Sequence, residues 1–236
     1  LLIGSYFTLE YAFASSALFN PTMTAAIDQS GVEPGSLRFV MSLRAVGEGH
    51  ISSIIFRKGI LDGRGRIRVD PPGLFHEPMR RTEDLQFSKA KFRVKLTTMG
   101  VRQKALDNVL GQLDDPFTLH DLLHVVDVMQ ACVNGLGQNG QNDHEVGDIE
   151  WLAACDYDIE TTPHADITEL VLFPTHELES QGMEDMRLVT FTKDDGSVSY
   201  FGTYTAFNGR EIVPQLMEMP RPGLTHVRTL RGRRAK

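Results

Sequence analysis

Short β-branched runs separated by glycine-rich turns recur twice along this chain, and that repeat restricts the folds open to it more than any other feature. In the first copy, Leu37–Leu43, His50–Phe56 and Arg66–Val69 are joined by Val46-Gly47-Glu48-Gly49 and Leu61-Asp62-Gly63-Arg64-Gly65. The rhythm returns in Arg187–Thr192, Val198–Ala206 and Glu211–Met217, joined through Asp194-Asp195-Gly196 and Asn208-Gly209. Runs of this kind with turn residues between them predict antiparallel strands. Two copies of one meander, about three or four strands each, are how propeller blades look in sequence, with a two-sheet sandwich as the rival. The fold class expected is therefore all-β.

Between the meanders the apolar period changes. Val101, Leu106, Val109, Leu110 and Leu113 recur at helical spacing, so Lys89–Met99 and Val101–Leu113 are predicted helices with Gly100 as the break. Thr118-Leu119-His120-Asp121 resembles a capping box opening a third helix, Leu119 to about Val133. Asn134–Gly147, rich in Gly, Asn and Gln, reads as a mobile loop. Three regions result: a first β region in residues 1–72, a largely helical insertion in 73–170 and a second β region in 171–236.

Composition removes several function classes. With 236 residues and 41% apolar content the chain is long enough for a real core. Its 24 Lys and Arg against 31 Asp and Glu leave a formal charge of −7, the wrong sign for a nucleic-acid footprint. The basic cluster Arg228, Arg231, Arg233, Arg234 and Lys236 reads as a solvated strand end or loop. Cys132 and Cys155 are too few for a disulfide framework, which suggests a reducing, cytoplasmic setting. Leu1–Phe19 has apolar stretches but no basic leader, and it carries Glu10, so it fits neither a signal peptide nor a membrane span. A chain beginning at Leu1 and stopping in Arg233-Arg234-Ala235-Lys236 reads as a piece cut at both ends.

Two familiar motifs are set aside. Gly135-Leu136-Gly137-Gln138-Asn139-Gly140 matches a dinucleotide fingerprint, yet a predicted helix precedes it where a strand is needed. His120 and His124 have the spacing of a helical zinc pair, but no third ligand accompanies them, so they read as solvated or capping residues. No cofactor and no metal is expected.

The chemistry concentrates in Gly182-Met183-Glu184-Asp185-Met186-Arg187, two carboxylates and a guanidinium at the mouth of a predicted strand. Upstream, Phe19-Asn20-Pro21 precedes the first meander, Arg44-Ala45 ends a strand, and Gly49-His50-Ile51-Ser52 leads into the next. Polar groups gathered at strand ends suit a small polyhydroxylated ligand.

These motifs, in this order, resemble the blade motifs of glycoside hydrolase family 130, the mannoside phosphorylases and related glycosidases. The resemblance covers Phe19–Phe56 and Phe173–Leu230, and includes Tyr200-Phe201-Gly202-Thr203-Tyr204-Thr205-Ala206-Phe207-Asn208-Gly209 and Pro214-Gln215-Leu216. It implies a five-bladed β-propeller, of which this chain would supply about two blades plus the helical insertion. It also implies cleavage of β-mannosidic or similar bonds, with Asp185 as general acid passing its proton through a sugar hydroxyl. Asn20 and Arg44 would hold the mannosyl unit and Arg187 would brace Asp185 or the sugar, with His50, Glu184 and Tyr204 as further substrate contacts.

Positioned acid catalysis contributes roughly 10²–10⁴ in rate, which is what protonating a poor leaving group demands. Phosphorolysis would take inorganic phosphate as co-substrate, whereas an inverting hydrolase needs a second carboxylate about 6.5–9.5 Å from the first. The sequence leaves that choice open, as it does a homo-oligomer. The expected partner is an oligosaccharide or glycoside; nucleic acid and membrane are not. A non-catalytic glycan-binding module is the alternative, followed by an interaction scaffold.

Overall fold

A computed structural model of the chain describes residues 12–73, 76–77, 79–82, 85–134 and 143–230. It divides into two compact units, Leu1–Arg80 with Ile159–His226, and Arg81–Asp158 with Val227–Lys236. The strands are β1 (Ala17–Ala25), β2 (Leu37–Val46), β3 (Ser52–Leu61), β4 (Ile67–Val69), β5 (Arg80–Thr82), β6 (Tyr157–Glu160), β7 (Val171–Leu172), β8 (Gly182–Thr192), β9 (Val198–Phe207), β10 (Ile212–Arg221) and β11 (Leu224–Thr229). The helices are α1 (Lys89–Met99), α2 (Gln103–Leu110), α3 (Leu119–Asn134) and α4 (Asp143–Cys155).

In the first unit the turns behave as their residues dictate. Asp62 Oδ1 accepts from the backbone N–H of Arg64 and Arg66, both at 2.9 Å, and so closes the β3–β4 turn. Asp195 does the same for Ser197 at 2.9 Å, and Asn208 for Arg210 and Glu211 at 2.9 and 2.7 Å. A short side-chain acceptor that binds backbone two residues on is the physical reason these residues occupy turns. β2 and β3 then pair antiparallel from Leu37↔Leu61 to Val46↔Ser52, and β9 and β10 from Tyr200↔Met219 to Phe207↔Ile212. Period-2 burial follows, with Val213, Gln215, Met217 and Met219 of β10 inside and their neighbours more exposed.

β1 did not stand out in the turn rhythm, and the reason is Pro21. Proline inside a run argues against a strand unless it sits at an edge or a bulge. Here it does both, because β1 pairs only with β2 and its register slips between Phe19 and Thr22.

The five-bladed, all-β propeller expected from the resemblance is corrected by the strand pairing. Among the described residues, eleven strands hydrogen-bond into one open, mixed sheet in the order β1-β2-β3-β8-β9-β10-β11-β6-β5, with β4 and β7 both on β3. Four α-helices among the described residues make the chain more than all-β. Turn chemistry decides which strands are neighbours within a meander but says nothing about how two meanders meet. That join is a long-range parallel pair, Ser52↔Gly182, which carries the sheet from β3 into β8.

The second unit is built on its helices. Phe92 and Leu96 of α1, Leu106, Val109 and Leu110 of α2, Leu122 and Val126 of α3, and Ile149 and Leu152 of α4 are buried together. Phe87, Phe92 and Phe117 pack with ring centroids 5.3–5.4 Å apart. The capping box expected at Thr118 is present, since Thr118 N donates to Asp121 Oδ2 at 2.8 Å and Asp121 N to Thr118 Oγ1 at 3.2 Å. Of the loop expected over Asn134–Gly147, residues 135–142 lie outside the described residues and the two ends are helical. Asn134 closes α3 and Asp143–Gly147 already belong to α4.

The Gly135–Gly140 fingerprint, Glu10, Arg231, Arg233, Arg234 and Lys236 lie outside the described residues, as does the side chain of Cys132. Among the described residues, no helix is long and apolar enough to cross a membrane.

Candidate functional site

Two β-bulges shape the site. Between Phe19↔Arg44 and Thr22↔Ser42, β1 advances three residues while β2 advances two, so β1 carries one extra residue. Between Glu184↔Thr205 and Arg187↔Thr203, β8 does the same against β9. A bulge re-aims side chains, and such bulges gather beside active sites. Asn20 occupies the first with φ 48° and Asp185 the second with φ 52°. The other non-glycine residue with positive φ among the described residues is His50, at 62°. Left-handed backbone costs an L-residue roughly 1–2 kcal/mol, least for Asn and Asp.

The two bulges bring Asn20 and Asp185 into contact, with Asn20 Nδ2 donating to Asp185 Oδ1. Behind them stands Arg44 of β2. Its Nη2 donates to Glu184 Oε1 at 2.6 Å, its Nη1 lies 3.7 Å from Asp185 Oδ1, and its Nε donates to Ser52 Oγ at 2.9 Å. The guanidinium is thus fixed at three points and spans both carboxylates, a geometry its planar fork suits. The Asp185 side chain stays 43% exposed, against 26% for Glu184, so Asp185 is the more open of the pair.

Threonines lace β1 to β8, although no ladder joins these strands. Thr22 Oγ1 donates to Met186 O at 3.0 Å and accepts from Arg187 Nη1 at 3.2 Å. Thr190 N donates to Thr24 Oγ1 at 2.8 Å, and Thr190 Oγ1 donates to Ala25 O. Arg187 is therefore exposed and anchored on Thr22 rather than on Asp185. Gly182, with φ 136°, lets the β8 backbone approach β3, because a Cβ there would stand 2.7 Å from Ser52 Cβ.

The sequence-named residues divide accordingly. Asn20, Arg44, Glu184 and Asp185 converge. Arg187 joins through Thr22. His50 lies exposed in the turn between β2 and β3, with no hydrogen bond to the cluster among the described residues. Tyr204 is 3% exposed, and its hydroxyl donates to Glu179 Oε1 at 2.7 Å rather than to the Asn20–Asp185 pair. Thr22 and Ser52 are contributors that motif reading passed over. Their signal was present: Ser52 closes the quoted Gly49–Ser52 segment and Thr22 follows Asn20-Pro21.

Among the described residues no three His, Cys, Asp or Glu side chains converge to hold a metal. His120 and His124 are exposed on α3. Arg228 lies 2.7 Å from Asp158, and Cys155 is buried.

No family model, no curated protein and no solved structure matches this chain.

Proposed function

We propose that this chain cleaves β-mannosidic or chemically similar glycosidic bonds, with Asp185 as the general acid. The observation that carries the reading is that Asn20 and Asp185, both left-handed and both in bulges, meet side chain to side chain. Backbone strain of about 1–3 kcal/mol persists where surrounding structure enforces it, and it clusters at working sites. Sugar hydroxyls require donors and acceptors at close range; Arg44, Asn20 and Glu184 offer both. Asp185, the more exposed carboxyl, would deliver a proton to the leaving group directly or through a sugar hydroxyl. The likeness of these motifs to glycoside hydrolase family 130 supports the choice of substrate. The propeller is not part of the reading. A reducing, cytoplasmic setting belongs to it, in keeping with a sequence that carries two cysteines.

Glycan binding without turnover is the second reading, favoured by the 2.6 Å ion pair that commits Glu184 to Arg44. The deciding experiment incubates the chain with β-1,4-linked mannosides, with and without inorganic phosphate, alongside Asp185→Asn. Mannose 1-phosphate appearing only with phosphate identifies phosphorolysis, and free mannose regardless of phosphate identifies hydrolysis. Mannoside binding with no Asp185-dependent product would replace the enzyme by the binding module. Neither binding nor product would remove the substrate class.

A further inference from the structure

A cavity of about 580 Å³ opens in the same unit as the Asn20–Asp185 cluster, at the other end of its strands. Arg38 and Lys58 line it, whereas Arg44 and Ser52 belong to the cluster. Arg44 lies six positions along β2 from Arg38, roughly 20 Å at strand rise. The volume lies within the roughly 300–1,000 Å³ of small-molecule sites.

The walls are held in place without a ligand. Pro163, Pro220 and Pro222 contribute fixed backbone, and Thr161 N donates to Gly223 O at 3.0 Å to join two of the lining segments. Thr162 N donates to Glu77 Oε1 at 3.1 Å. Asp166 caps the short turn Ile167–Glu169 through Thr168 N. Val40, Leu170, Met219 and Leu224 add apolar lining, with Val40 paired across the sheet with Lys58 and Met219 with Tyr200.

The polar part of the lining has unmatched donors. Three cations, Arg38, Lys58 and Arg221, face two carboxylates, Asp28 and Asp166. Arg38 lies 3.6 Å from Asp28, and Lys58 pairs with Asp166. Arg221 has no carboxylate partner among the described residues, so the lining carries an excess of one positive charge. Tyr200 accepts from Ile27 N at 2.9 Å, which leaves its own O–H to donate, and no acceptor for it occurs among the described residues. Burial, with Asp28 adding to it and the Ile27 bond opposing, raises the Tyr200 pKa, so the phenol keeps that proton at neutral pH.

We propose that this cavity binds a small organic monoanion, a carboxylate carried on a compact apolar body, with Arg221 and Tyr200 receiving the carboxylate. One surplus charge matches a monoanion, and the apolar lining selects against small hydrophilic acids. The site is independent of glycoside chemistry, and mannoside assays leave it untouched.

Isothermal titration calorimetry on the full chain tests it with 3-phenylpropionate and 4-methylpentanoate, each against its primary amide. The acids are expected to bind, the amides at least about tenfold more weakly. Arg221→Gln, an exposed position, should weaken the acids by about tenfold, and Tyr200→Phe by a smaller factor. Absence of binding for both acids at about 10 mM, amides equal to acids, or an Arg221→Gln protein that binds as well as the parent would each overturn the proposal.

Discussion

Left-handed backbone at Asp185 should make glycine more stabilising there than alanine, and the difference can be isolated. Asp185→Gly and Asp185→Ala lose the same contacts, the Asn20 hydrogen bond and the Arg44 ion pair at 3.7 Å, so these cancel in the comparison. What remains is φ 52°, which alanine occupies at a cost of roughly 1–2 kcal/mol and glycine freely. Glycine gives back about 0.4–1 kcal/mol through its greater freedom in the unfolded chain. Asp185→Gly should therefore exceed Asp185→Ala by about 1 kcal/mol, roughly fivefold in the folding equilibrium. Val189, exposed in the same strand and outside the positive-φ set, is the control. There the order should reverse, with glycine about 0.5–1 kcal/mol the worse. Urea unfolding followed by far-UV circular dichroism is the assay, because the single tryptophan, Trp151, lies in the helical unit and would report on that unit instead. An Asp185→Ala protein as stable as Asp185→Gly would refute the strain argument and remove the main support for the site.

Three further outcomes are expected. Gly182→Ala would place a Cβ 2.9 Å from Ser52 N at φ 136°, and should lower stability by about 2–4 kcal/mol in the same urea assay. It should also loosen Arg44, which Ser52 holds. Ser42 is fully buried and its Oγ lacks a hydrogen-bond partner, so Ser42→Ala should be neutral or stabilising by about 1 kcal/mol, read as an unchanged or higher urea midpoint. In the helical unit, burial and then the charge of Asp127 raise the carboxyl of Glu150 above its usual 4.5. The folded state thus holds that proton more tightly than the unfolded one, so this group's contribution to stability grows as pH falls through the raised value and is least at neutral pH. Glu150→Gln should raise the thermal midpoint of that unit at pH 7 and flatten its rise on mild acidification; a midpoint below the parent's at pH 7 would contradict the assignment.

Legibility followed the range of the forces involved. The hairpin turns at Asp62, Asp195 and Asn208 could be read because each side chain binds backbone within a few residues. α1 could be read to the residue, closed by Gly100, whose N–H reaches Leu96 O and Thr97 O. β1 could not, because Pro21 hides a strand whose irregularity is its purpose. The first turn of α4 could not either, because its polar residues continue the composition of the Gly-, Asn- and Gln-rich sequence before it. Tyr204 is named through the family resemblance, and its 2.7 Å bond to Glu179, 25 residues away, is a contact that no local pattern shows.

By itself, then, the sequence determined the meanders, their turns, the helical segment between them and the residue types gathered in the two site motifs. It did not determine the fold class, because the order of strands depends on Ser52 meeting Gly182 across 130 residues, a pairing no local pattern encodes. Nor did it determine the site. Asn20 and Asp185 are 165 residues apart, and their contact exists because two separate bulges turn them toward each other while Arg44 reaches both carboxylates from a third strand. Short-range hydrogen bonds leave a signature in neighbouring residues; a contact assembled from three strands is specified only by the packed structure that holds them.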